Sequence, residues 1–465
     1  SSRMIFHRIK SEGIAHNSYF IGSGREAAVI DPRRDCEVYL ELASQHGMNI
    51  RWIFETHRNE DYAIGSIELR QRTGAEIDHG PGLQWKYGNT LEDGQDFGIG
   101  SLRLKALHTP GHTDESMSYV VTDDPSSAIP LMVFTGDALF VNDVGRSDVY
   151  GIEEAPRMAG CLYDSIFGKL LPLGDGVIIC PAHGAGSVCG KSIADRDGST
   201  IGIEKVRNPW LQIRSREEFI NLKTAEKLEQ PHYFRQMEKY NLEGPLLLGN
   251  LPFPEPLTPE QFREKMESGA IVVDTSLPNA FGGAHIKGTY SIWLEGLPVF
   301  GGWVLPYDKP ILLVPESNND VDAAVRYLVR AGYDRIEGYL HGGTEEWYSS
   351  GYPVEQLPLL SVDKLHERLS KGDDIVVLDV REEDEWDEGH LEGAMRIYVW
   401  HLEEMLDEIP SDKEIAVMCT VGHRGGLAAS ILLREGFKGI YNVLGGFEAW
   451  TNAGYPVTGK LQTER

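Results

Sequence analysis

Ile50-Arg-Trp-Ile-Phe54 runs directly into Glu55-Thr-His-Arg-Asn-Glu-Asp-Tyr-Ala-Ile-Gly65. The first five residues form an apolar run bounded by a polar cluster, the pattern of a buried strand. The polar stretch behind it carries His57 and Asp61, residue types that ligate metals, where the strand must end. A helix over 64–73 is expected to follow.

The same grammar recurs on both sides of this stretch. Residues 18–21 and 27–31 read as two strands of a hairpin turned by Gly22-Ser-Gly24, and 38–47 reads as a helix. Leu102-Arg-Leu-Lys-Ala-Leu107 is a strand leading into His108-Thr-Pro-Gly-His-Thr113. Residues 117–122 and 131–134 are further strands, the second ending in Thr135-Gly-Asp-Ala-Leu139. Val177-Ile-Ile-Cys180 leads to Pro181-Ala-His-Gly-Ala-Gly-Ser-Val-Cys-Gly190. Strand, polar turn and helix in this order predict sheets flanked by helices, with the chemistry at strand ends. Residues 200–245 are polar and expected to be mostly helical. Gly249-Asn-Leu-Pro-Phe-Pro-Glu-Pro256 reads as a linker.

Beyond the linker the chain repeats itself. Ile271-Val-Val-Asp274 matches Val376-Val-Leu-Asp379, and His285-Ile-Lys-Gly288 matches His390-Leu-Glu-Gly393. Gly342-Gly-Thr-Glu-Glu-Trp347 matches Gly445-Gly-Phe-Glu-Ala-Trp450. Two copies are too few for a solenoid. Each alternates short apolar strands with helices, so each predicts a small α/β domain with a parallel sheet. The expected domains are 1–248, 256–357 and 358–465.

Composition narrows the function classes. The chain has 465 residues, 41% hydrophobic and 25% charged, an ordinary globular mix. Forty-four basic against 71 acidic side chains leave a net charge of −27, which argues against nucleic acid or an anionic membrane surface as partner. Five cysteines suggest free thiols in a reducing cytoplasm, not a disulfide scaffold. Ser1-Ser2-Arg3 reads as a remnant before Met4, and neither a secretory leader nor a membrane span is expected. Oligomeric state is open, a homo-oligomer included.

The two repeats resemble the rhodanese family over nearly all of each copy. The second carries the family's loop, Cys419-Thr-Val-Gly-His-Arg424, directly after a strand and before a helix. Backbone N–H groups and the positive helix end would surround the thiol there, which favours the nucleophilic thiolate. Cys419 and Arg424 are the expected catalytic pair, with Thr420, Val421, Gly422 and His423 holding the sulfur substrate. The first copy has Pro315 at the Cys position, followed by Glu316-Ser-Asn-Asn-Asp320, and Ser276 where the second has Arg381. It is expected to be inactive.

The front half resembles the metallo-β-lactamase superfamily, in particular its persulfide dioxygenase and glyoxalase II branch. The motifs are Thr56-His57, Thr109-Pro-Gly-His-Thr113, Phe134-Thr-Gly-Asp-Ala138, Gly145-Arg-Ser-Asp148 and Pro181-Ala-His183. The resemblance implies an αββα sandwich and two ligand sets. The first falls on His57, Asn59, His112 and Asp137, the second on Asp61, Tyr62, His183 and the shared Asp137. Asn59 breaks the first set and Tyr62 the second, since an amide and a phenol are poor substitutes for imidazole. What survives of the first is His57, His112 and Asp137, two histidines and one carboxylate, the facial triad of non-haem Fe(II) oxygenases. Asn59, Asp61, Tyr62, His183 and Cys189 would flank the metal. Arg146 would meet the thiol cosubstrate, with a salt bridge to Asp148 as the alternative.

The expectation is one Fe(II) per chain, with zinc as the alternative. That metal would oxidise a small thiol persulfide with O₂ to sulfite, and sulfur transfer at Cys419 would make or use thiosulfate. The rivals are a zinc-dependent thioester hydrolase fused to a rhodanese, and a sulfur carrier whose front domain is not catalytic.

Overall fold

The computed structural model describes residues 3–123 and 126–460. The extreme ends of the expected first and third domains, 1–2 and 461–465, lie outside the described residues. Contacts divide the chain into two units, Ser1–Leu251 with Val329–Gly332, and Pro252–Leu328 with Tyr333–Arg465.

In the first unit, alternation along each strand decides which side chains meet. Leu102–His108 points Leu102, Leu104 and Ala106 inward while Arg103 and Lys105 face water, the period-two pattern of a strand on a core. Six strands form one sheet, running from Met4–Ser11 through His16–Ser23, Glu26–Ile30, Asn49–Phe54 and Glu76–His79 to Asn89–Thr90. Five form the other, in the order Ile178–Pro181, Met132–Gly136, Met117–Thr122, Leu102–His108, Asp96–Ile99. Tyr19, Ile21 and Phe54 of the first sheet pack against Leu104, Tyr119 and Phe134 of the second. Each such side chain contributes about 1.5–3 kcal/mol of burial.

The outer faces are covered in turn. Phe20, Val29 and Ile53 meet Tyr39 and Leu69 of the helices Glu37–His46 and Ser66–Thr73. Val133 and Ile179 meet Leu162 of Ala155–Ser165. The result is the four-layer αββα sandwich. The edge strand Met4–Ser11 was not anticipated, because its apolar residues are interleaved with His7, Arg8 and Lys10, and Met4, Ile5 and Phe6 stay only half-buried.

The second unit holds two five-stranded sheets of one topology. In each, every neighbouring pair of strands is parallel. The orders are Glu255–Leu257, Ile336–Leu340, Ile311–Val314, Ile271–Asp274, Tyr290–Ser291, and Leu359–Leu360, Ile440–Val443, Glu414–Met418, Ile375–Asp379, Met395–Arg396. The central strands Ile271–Asp274 and Ile311–Val314 are buried throughout, as sheets covered on both faces require. No helix among the described residues is long and apolar enough to cross a membrane.

Candidate metal centre and sulfur-transfer loop

Four strands of the first unit lead, within one to four residues, to one place. His57 follows Asn49–Phe54, His112 follows Leu102–His108, Asp137 follows Met132–Gly136 and His183 follows Ile178–Pro181. All four side chains are buried. Gly136, with φ of +54°, makes the turn before Asp137, and a Cβ on it would meet the Thr56 Cβ at 2.8 Å. Only glycine lets the two loops approach this closely.

His57, Glu60, His112 and Asp137 offer donor atoms that all lie within 4.8 Å of one another. The neighbours of the two imidazoles settle their tautomers. The Thr56 hydroxyl donates to Asp31 Oδ2 at 2.6 Å, so its oxygen accepts from His57 Nδ1 at 2.9 Å. His112 Nδ1 donates to the Arg146 carbonyl at 2.9 Å. When either ring is neutral, as a ligand must be, its Nε2 is therefore the lone pair, and a buried acceptor fixing the far nitrogen is how proteins orient metal-bound histidines. His57 Nε2 faces Glu60 Oε2 at 3.3 Å and Asp137 Oδ2 at 3.4 Å. His112 Nε2 faces Glu60 Oε1 at 2.6 Å and Asp137 Oδ2 at 3.3 Å. His57 Nε2, Glu60 Oε2 and Asp137 Oδ2 have no hydrogen-bond partner. Buried lone pairs aimed at each other fit a divalent cation held among them. The field agrees: burial opposes an imidazolium at both rings, but Asp137 at His57, and Glu60 with Asp137 at His112, outweigh it and push both up.

The second expected ligand set is arranged differently. His183 Nδ1 lies 2.6 Å from Asp137 Oδ1 and Nε2 lies 2.6 Å from Asp61 Oδ2. A ring that donates to two carboxylates carries both protons, so His183 is itself the cation between them. Burial works against that charge, and Asp137 and Asp61 overcome it. Asp61, His183 and Cys189 also lie close enough together to hold an ion.

Tyr62 is turned away from this group. Its hydroxyl donates to the Asp31 carbonyl at 3.3 Å and its ring stacks on His16, centroids 3.9 Å apart. The Asn59 amide donates to the His57 carbonyl at 3.2 Å. The buried Cys189 thiol donates to Glu60 Oε1 at 3.2 Å.

Arg146 is the residue expected to meet a thiol cosubstrate, with a salt bridge to Asp148 as the alternative. Its guanidinium is buried, bonds Asp148 through Nε at 2.6 Å and Nη2 at 2.9 Å, and donates through Nη1 to the carbonyls of Val188 and Glu229, both at 2.9 Å. The bidentate pair with Asp148 and these carbonyls engage all three nitrogens, so the salt-bridge alternative describes its surroundings. Glu60 was missed because it falls between the motif positions, and only its unusual charge inside the motif could have flagged it.

In the second unit, Cys419 follows Glu414–Met418 and precedes the helix His423–Arg434. Its Sγ accepts the N–H of Gly422 at 2.9 Å and of Gly425 at 3.2 Å. These amides and the helix N-terminus favour an anionic sulfur. Arg424 forms a two-pronged pair with Glu385 at 2.7 and 2.9 Å and donates to the Thr420 hydroxyl at 2.8 Å. That hydroxyl donates to Glu385 at 2.6 Å. Arg424 thus braces the loop, and Glu385, which sequence reasoning missed, is its anchor. Burial would raise the Glu385 carboxyl, but Arg424 holds it down at about 2. Val421 is exposed, and His423 stacks on Trp293 of the first copy with centroids 5.1 Å apart. In the first copy Pro315 follows the strand Ile311–Val314 and offers no thiol.

Comparison with known proteins agrees with this architecture. The metallo-beta-lactamase superfamily matches residues 12–183, and the rhodanese-like domain matches 258–350 and 361–453. The mitochondrial persulfide dioxygenase ETHE1 of Bos taurus is 30% identical over 235 residues, 46% of this chain and 77% of that protein. The hydroxyacylglutathione hydrolase GloC of Haemophilus influenzae is 27% identical over 214 residues, 41% of this chain and 90% of that protein. A crystal structure of a metallo-beta-lactamase from Staphylococcus aureus matches with a TM-score of 0.67 and 32% identity, covering 73% of this chain and 99% of that one. A dioxygenase and a hydrolase are similarly distant, so the comparisons reach the superfamily and stop short of the reaction. The chain belongs to the metallo-beta-lactamase superfamily through its front unit, and two rhodanese-like domains follow in the same sequence.

Proposed function

We propose that the front unit oxidises a low-molecular-weight thiol persulfide to sulfite at a single Fe(II), and that Cys419 carries sulfane sulfur between persulfide, sulfite and thiosulfate. The observation that carries this reading is the convergence of two Nε2 lone pairs with Asp137 Oδ2, while His183 is committed to Asp61 and Asp137. One cation position, at His57, His112 and Asp137, is the reading this supports, because Tyr62 is turned away from the second set and His183 bonds both Asp61 and Asp137. A bound Fe(II) would supply O₂ activation at that position.

The chain's own residues do the rest. Thr56 and Asp31 hold His57 in the ligating tautomer, and the Arg146 carbonyl does the same for His112. The overall change balances as RSSH + O₂ + H₂O → RSH + SO₃²⁻ + 2H⁺. At the other site the Cys419 thiolate attacks the outer sulfur of RSSH. The S–S bond breaks, RS⁻ leaves, and Cys419–S–SH forms. Sulfite then takes the outer sulfur as thiosulfate, and the Cys419 thiol returns. The Gly422 and Gly425 amides stabilise the sulfur anion in both steps.

The net charge of −27 and five unpaired cysteines support a reducing, cytoplasmic setting with small-molecule partners and neither nucleic acid nor membrane. The test is metal content after anaerobic purification, with oxygen uptake on a panel of persulfides. One iron per chain and persulfide-dependent O₂ consumption are expected. Two tightly bound metals with thioester hydrolysis and no O₂ uptake would replace this reading with the zinc hydrolase. A protein that takes up no metal would make the front unit non-catalytic.

A further inference from the structure

We propose that Glu60 is a fourth protein ligand at the His57–His112–Asp137 position, supplying the donor that Asn59 does not. The inference rests on the metal reading above but concerns a residue outside the triad. Glu60 is fully buried, yet no lysine or arginine bonds its carboxylate. Its Oε2 has no hydrogen-bond partner and faces the His57 lone pair at 3.3 Å. Its Oε1 lies 2.6 Å from His112 Nε2, a hydrogen bond when that ring is protonated and two facing lone pairs once the ring is neutral, as a metal ligand must be. In the ligating, neutral state of the ring those facing lone pairs need a positive charge between them. A carboxylate this deep is stable only beside a positive charge, and when His57 and His112 ligate as neutral rings that charge is the metal's.

Asn59 cannot fill the gap, because its side chain turns back to the His57 carbonyl. Glu60, one residue further along the turn, faces the Nε2 atoms of both His57 and His112. Cys189 fixes it there by donating to Oε1. Two imidazoles and two carboxylates make a harder, oxygen-richer donor set than a site with three imidazoles. The two anionic donors also balance the charge of a divalent ion. Such a set discriminates less strongly in favour of zinc over Fe(II).

The experiment is anaerobic titration of the full chain with Fe(II) alone and with Co(II) alone, comparing wild type, Glu60→Gln and Asp137→Ala. Gln has the shape of Glu and keeps the fold but lacks the anionic oxygen. Glu60→Gln is expected to bind Fe(II) at least about tenfold more weakly and to alter the visible ligand-field spectrum of Co(II). If Glu60→Gln fails to fold, Glu60→Asp, which withdraws the carboxylate by one methylene, is expected to show the same weakening. If Glu60→Gln matches wild type in affinity and cobalt spectrum while Asp137→Ala loses the ion, Glu60 is no ligand and the metal reading stands. If wild type takes up neither ion, both fall.

Discussion

Replacing Arg146 with Met separates two roles that its motif alone leaves confounded. In the structure its guanidinium makes four charge-assisted hydrogen bonds, two to Asp148 and one each to the Val188 and Glu229 carbonyls, and lies over the Phe234 ring at 5.5 Å. Met fills the volume of the stem but donates nothing. Each lost bond to a charged group is worth about 1.5–3 kcal/mol net, and these are not additive. Asp148 is 27% exposed and can rehydrate, whereas Arg146 is 1% exposed. The expected cost is therefore about 3 kcal/mol, the lower end for breaking a buried pair. That is a large share of the 5–15 kcal/mol that typically holds a domain together.

A global melt would mix the two units, so hydrogen exchange read by mass spectrometry is the assay. Protection should fall by that amount in peptides covering 143–150, 183–190 and 229–238, with distant sheets unchanged. Fe(II) affinity should fall as well, because the Arg146 carbonyl fixes His112 Nδ1. Arg146→Lys should rescue only part of this, since an ammonium cannot reproduce the two-pronged pair. Unchanged protection, with a defect confined to the KM for persulfide, would refute the structural role and return Arg146 to the substrate.

Cys419→Ser in the full chain should abolish thiosulfate–cyanide sulfur transfer, because Pro315 gives the first copy no thiol; residual turnover would show a second carrier. The same variant should still consume O₂ with persulfide but release sulfite in place of thiosulfate, read by thiol labelling and chromatography, and loss of O₂ uptake would refute independent sites. Glu55, buried with the Tyr87 hydroxyl at 2.8 Å, has its carboxyl pushed by burial to about 8 from 4.5. The folded state therefore binds a proton that the unfolded chain has released, and wild type loses stability as pH rises from about 4.5 to about 8. Glu55→Gln mimics the protonated acid, so its gain over wild type in hydrogen-exchange protection of peptides covering 50–58 and 85–90 should grow across that window and level off above it; parallel pH curves would refute the buried acid. Gly446→Ala places a Cβ 2.2 Å from the Cys419 carbonyl at a φ of +55°, so sulfur transfer should fall at least about tenfold from a displaced loop, while metal binding in the front unit stays as in wild type.

Much of this molecule is legible along the chain because its functional residues stand directly after apolar strands. His57, His112, Asp137, His183 and Cys419 each follow a run whose burial is encoded by composition and period, and parallel or stacked strands bring such ends to a common edge. The repeat made the second unit readable in the same way, since the two copies carry one strand order. The strand Met4–Ser11 was not legible, because an edge strand needs no continuous apolar face. Side-chain direction and partner choice at the site were decided only in three dimensions. Glu60 meets His112 across 52 positions, His183 meets Asp61 across 122, and Arg146 meets Glu229 across 83. Trp293 reaches His423 from the other copy of the repeat. Local pattern says which face of an element is buried. Which buried polar group finds which partner depends on how sheets and loops stack, because a charge inside the protein is stable only beside the partner that packing supplies.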